Sequence, residues 1–219
     1  MKTNYITLLV FLILFNCQNE SKPQLDYKYA KAQAILDCGT TDTKLFEEAL
    51  LSFENDLIAF YKPKNDQVGN AYSQFFRALN GNRVNFNNII SEHSIAVYEA
   101  LKADKSLWKE GQQGVALNYD HPIFKCIGEH ITDKNINTSY NALLSTHSLS
   151  PRMLKGAIAR KVYTFPKEQH FATYVALDMF YGQLHDVDFT QPKADLSGEI
   201  INNTISSESK INSHEGQNH

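Results

Sequence analysis

Residues 44–63 read Lys-Leu-Phe-Glu-Glu-Ala-Leu-Leu-Ser-Phe-Glu-Asn-Asp-Leu-Ile-Ala-Phe-Tyr-Lys-Pro. Within this stretch Leu45, Ala49, Leu50, Phe53, Leu57, Phe60 and Tyr61 recur at three- and four-residue steps. That spacing lays an apolar stripe along one face of an α-helix. Pro63 lacks the amide a helix needs and predicts its end. Glu47, Glu48, Glu54 and Asp56 fall on the other side, where a solvated face is expected.

The same period continues downstream. Ala71, Tyr72, Phe75, Phe76 and Leu79 make a shorter helix ended by Asn80-Gly81. Phe86, Ile89, Ile90, His93, Val97 and Leu101 predict one long helix. Pro122 suits a first helical position and Asn137 or Thr138 suits a cap, while Ser150-Pro151 combines both signals. Pro166 opens a last helix carrying Phe171, Tyr174, Val175, Asp178 and Tyr181. Upstream, Tyr27, Ala30, Ala34 and Ile35 suggest a first helix closed by Gly39. Residues 108–117 contain Gly111 and Gly114 and read as a loop, and no alternating run predicts a strand. The expected fold class is all-α: an irregular bundle of about seven or eight helices with mostly antiparallel neighbours. It spans residues 26–189, and residues 190–219, rich in Ser, Asn and charge, read as a disordered tail.

The 219 residues are 42% hydrophobic, enough for one core, and their formal charge of -3 excludes a strongly basic nucleic-acid binder. Three cysteines are too few for a disulfide-framework fold.

The N-terminus carries an address. Lys2 precedes the apolar run Ile6–Phe15, broken only by Thr7. The run is about half of the roughly 20 apolar residues that span a bilayer, so it reads as a secretory signal over residues 1–16. It ends at Leu14-Phe15-Asn16-Cys17. This resembles a relaxed lipobox of bacterial lipoproteins, with Phe15 and Asn16 where small residues are usual. The polar Gln18-Asn19-Glu20-Ser21 is similar to surface-export signals of Bacteroidetes, and the chain resembles small helical lipoproteins of that phylum. The resemblance implies lipidation of Cys17, a tether over residues 17–25 and attachment to the outer membrane at the cell envelope. The alternative is cleavage nearby and a soluble periplasmic product. Outside the cytoplasm, Cys38 and Cys126 are either a disulfide pair or two buried thiols.

No catalytic motif stands out. His-Glu-x-x-His, Gly-x-Ser-x-Gly and the glycine-rich phosphate loops are absent from the sequence, and no metal or other cofactor is expected. Arg152, Lys155, Arg160, Lys161 and Lys167 cluster in a slightly acidic protein. They are either a binding patch for lipid headgroups, an anionic glycan or an envelope protein, or a solvated helix face. Tyr119, Tyr163 and Phe165 are candidate pocket residues beside helix junctions, with core packing as the alternative. The leading expectation is a non-enzymatic accessory or binding module anchored to the membrane. One alternative is a helical metal-dependent hydrolase using His121, His130 or the His185-Asp186 pair. Another is an inhibitor or immunity-type lipoprotein that binds one protein.

Overall fold

The computed structural model describes residues 25–29, 31, 34–39, 42–111 and 114–191. The readings on residues 1–24, Cys17 included, and on the tail beyond residue 191 lie outside the described residues.

The helix α1 spans Lys44–Tyr61. It ends because Lys62 takes a left-handed conformation, its N–H bonding to the Ile58 carbonyl, and Pro63 follows. The next helix, α2, covers Val68–Asn80 and buries Ala71, Tyr72, Phe75 and Phe76. Phe53 of α1 meets Tyr72 and Phe75 edge-on at 5.6 and 5.4 Å between ring centroids. Burial of a Phe-sized side chain contributes about 1.5–3 kcal/mol, so this aromatic layer is a main source of stability.

Where one long helix is predicted over residues 86–101, two form: α3 (Phe86–Ile89) and α4 (Glu92–Ala103). Ile90 is extended, and the Ser91 hydroxyl caps α4 by accepting from the Ser94 amide. Asp56 of α1 accepts the Ser91 amide at 3.0 Å, which holds the break in place. Residues 108–117 are a β-hairpin rather than a loop. Strand β1 (Trp108–Gly111) pairs antiparallel with β2 (Gly114–Leu117), Trp108 opposite Leu117. Gly114 has φ +104°, a conformation that favours glycine.

Helix α5 (Pro122–His130) starts at Pro122 as predicted, and His121 Nδ1 caps it by accepting from the Ile123 amide. Helix α6 (Lys134–Ser145) starts earlier than Asn137, because Asp133 accepts from the Asn135 and Ile136 amides. Helix α7 is Pro151–Lys161. Pro166 lies inside a 3₁₀ segment, Val162–Lys167, and α8 begins at Gln169, running to Val175. A π-helical turn, Ala176–Phe180, and a 3₁₀ turn, Tyr181–Gln183, extend it. The fold is thus all-α, with eight α-helices among the described residues and one small hairpin.

α1 is the hub, packing against α2, α3, α4, α8 and the π-helical turn, while α5 bridges α6 and α8. None of the described residues of 25–39 is helical. Their amides bond instead to carboxylates of α1: Lys28 and Tyr29 to Glu48, Leu36 to Glu47. This corrects the expected solvated face of α1. Glu48 and Asp56 are only 2% and 4% exposed, and Ser52 bonds Ser94 of α4 at 2.8 Å.

Candidate functional site

A cleft of about 280 Å³ lies where the C-terminal end of α4 meets the hairpin, lined by Lys102, Lys105, Trp108, Lys109, Glu110, Val115 and His185, three lysines against one carboxylate. Asp104 builds the corner between α4 and β1, accepting from the Ser106 amide at 3.0 Å and the Ser106 hydroxyl at 2.6 Å. Trp108 is half-buried and fixed: its indole N–H donates to the Leu101 carbonyl at 2.8 Å, and Tyr98 meets its ring edge-on. Lys102 is paired with Glu99 at 3.0 Å and lies over the Tyr98 ring. Lys105 and Lys109 make no ion pair among the described residues, and Lys109 reaches over Tyr119. The arrangement is a rigid aromatic wall beside two available cations, suited to an anion with an apolar face.

The basic patch read from the sequence is elsewhere. Arg152, Lys155 and Arg160 are exposed on α7 and Lys167 is exposed beyond it, but Lys161 is tied to Asp133 at 2.8 Å. The signal that marks the cleft in the sequence is the only tryptophan, set among three lysines within residues 102–109. Phe165 is core, Tyr163 is exposed, and Tyr119 donates to Asp178 at 2.5 Å.

The histidines keep separate company. His121 is buried. Its Nδ1 accepts from the backbone, so its Nε2 carries the proton, 3.3 Å from Asp104. Burial holds its pKa below the ordinary value, with Asp104 opposing. His185 lines the cleft, whereas His130 stacks on His170, rings 4.7 Å apart and nearly parallel. Burial, and then the His130 charge, holds His170 below its ordinary pKa. Among the described residues no metal-sized group joins His121, His130 and His185; the one such group is Cys126, His130 and His170. Cys38 and Cys126 are disulfide-bonded, Cα atoms 5.4 Å apart.

Two further carboxyls are strongly perturbed. Burial pushes Asp178, in the π-helical turn, up to about 6, and the hydrogen bond that the Tyr119 hydroxyl donates to it offsets part of that. Burial likewise pushes Glu54 up to about 7, with the Tyr72 hydroxyl donating to it at 3.0 Å as the offset. No helix among the described residues is long and apolar enough to cross a membrane.

No protein-family profile matches the chain, and no solved structure matches it. The chain is similar to adenylosuccinate synthetase of Clostridium beijerinckii, 28% identical over 166 residues, which covers 64% of this chain and 37% of that protein. The chain therefore spans little more than a third of the length of the curated relative it matches.

Proposed function

We propose that the protein is a lipid-anchored, non-enzymatic binding module of the cell envelope, held at the outer membrane through Cys17, and that its Trp108 cleft takes an anionic saccharide. The observation that carries the reading is the pairing of a fixed indole with Lys105 and Lys109 in one concave site. An indole face stacks on the apolar face of a sugar ring, while ammonium groups hold carboxylate or sulfate. The secretory run and the cysteine at residue 17 supply the reason for an envelope setting. A synthetase reading from the Clostridium likeness finds no glycine-rich phosphate loop in this sequence.

The single tryptophan makes the test direct, because fluorescence excited at the red edge, where the eleven tyrosines do not absorb, reports only on the cleft. Titrating the detergent-solubilised full chain with a sulfated oligosaccharide should give a saturable change that weakens as salt rises. Lys105→Glu with Lys109→Glu should abolish it, and Arg152→Glu should not. A flat titration, or one unchanged by the double variant, refutes the cleft. For the anchor, Cys17→Ser should leave the membrane fraction and lose lipid labelling. Unchanged fractionation and labelling would refute the anchor.

A further inference from the structure

The disulfide and the stacked histidines are one cluster. Cys126 and His130 lie one turn apart on α5, which puts both side chains on the same helix face. Cys126 Sγ is 3.8 Å from His130 Nδ1. His170, from α8, lies against the His130 ring. One donor atom from each of Cys126, His130 and His170 lies within 4.8 Å of the others. Cys38 Sγ is bonded to Cys126 Sγ, so a fourth donor sits at the same point. His170 Nε2 is buried with no hydrogen-bond partner, although buried polar atoms ordinarily find one.

We propose that Cys38, Cys126, His130 and His170 form a redox-gated site for a zinc-like divalent cation, closed while the disulfide is intact and opened by its reduction. Two sulfurs and two imidazoles are the donor set of a tetrahedral zinc centre. With metal–sulfur bonds of about 2.3 Å and metal–nitrogen bonds of about 2.0 Å, ligand atoms stand about 3.3–3.8 Å apart. The nitrogens therefore need to close in by about 1.5 Å at most, and the sulfurs need to part by side-chain rotation. His130 Nδ1 also lies 2.9 Å from the Cys126 carbonyl oxygen. The ligating nitrogen is Nδ1, the one beside Sγ, so metal binding takes the place of that contact.

The gating step balances. A dithiol reductant attacks one sulfur of the pair, and the mixed disulfide resolves. Two electrons and two protons reach Cys38 and Cys126, and the reductant leaves as its own disulfide. The cation then displaces two protons from the thiols and binds two neutral imidazoles. Two thiolates against a divalent cation leave the site uncharged, which suits its partial burial. Metal in place of the S–S bond still ties residue 38 to α5 and adds a bond to α8. This site is independent of the lysine cleft.

The test uses the full chain carrying Cys17→Ser, which removes the third thiol. The protein is reduced with a phosphine, desalted without oxygen and titrated with Co²⁺ alone, then with Zn²⁺. The expected result is one Co²⁺ per chain, with tetrahedral absorption and a thiolate-to-cobalt band that Zn²⁺ abolishes. The oxidised chain should give neither. His130→Ala and His170→Ala, whose folding is checked by circular dichroism in the oxidised state, should each weaken binding by about tenfold or more. Binding without a thiolate band, equal binding by the oxidised chain, or wild-type affinity in either histidine variant would overturn the proposal. So would a reduced chain that unfolds and that Zn²⁺ does not refold.

Discussion

Replacing Asp178 by Asn should stabilise the protein at pH 8 and not at pH 4. The carboxyl is 3% exposed, in the π-helical turn beneath Tyr119. Its Oδ1 accepts the Tyr119 hydroxyl, while Oδ2 and the Tyr174 hydroxyl are buried without hydrogen-bond partners. Burial raises its pKa from 3.8 to about 6. Below pH 3.8 the group is protonated in the folded and unfolded chains alike and costs nothing. Between pH 3.8 and 6 the unfolded chain releases the proton and the folded chain keeps it, so stability falls as pH rises. Above pH 6 the whole cost, about 3 kcal/mol for a shift of about two pH units, is in place. Asparagine carries no charge, accepts from Tyr119 and offers N–H to Tyr174. The pKa of about 6 already includes the help of the Tyr119 bond, so the expected gain at pH 8 is about 3 kcal/mol, or about 6–12 °C in Tm for a domain of this size. At pH 4 the two proteins should agree within about 1 kcal/mol. Urea unfolding of both at the two pH values measures the difference. Glu54, His121 and His170 titrate in both proteins and cancel from it. An Asn variant less stable than wild type at pH 8, or an effect of equal size at both pH values, would refute the reasoning.

Other substitutions test the packing. Cys38→Ser opens a loop closed across a sequence separation of 88 residues and should cost about 4–5 kcal/mol in the metal-free protein, read as a fall in Tm. Gly128→Ala would drive a methyl group into the Asn141 side chain and the Tyr140 ring where α5 meets α6. It should cost about 1–3 kcal/mol in chemical unfolding. Ser91→Ala removes the α4 cap and should cost about 1 kcal/mol, with faster amide exchange at Ser94 as the local readout.

Much of the fold was legible because it depends on local period and punctuation. The α1 stripe, the stop at Pro63, the Pro122 start and the Ser150-Pro151 junction each reside within a few residues of the feature they set. The segment before α1 misled for a physical reason. Ala30, Ala34 and Ile35 fit a helix, but the amides of Lys28, Tyr29 and Leu36 find carboxylates 11 to 20 residues away. The hairpin escaped because each strand is four residues long, too short for alternation to register.

The sites were less legible, because each depends on which elements meet. The Cys126–His130 step could be seen in the sequence, but His170 joins it from α8, and Cys38 from 88 residues upstream. The same reasoning applies to α1. A helix with carboxylates opposite its apolar stripe ordinarily turns them to water. Here the 25–39 segment and α4 cover that side, so the carboxylates become partners. Glu48 holds two backbone amides and His93 Nε2 at 2.7 Å, while Asp56 holds the α4 cap residue. Each satisfied carboxylate specifies one arrangement of its neighbours, since a displaced element would leave a buried charge unpaired at a cost of several kcal/mol. The polar side of α1 therefore fixes the position of α4, and with it one wall of the Trp108 cleft.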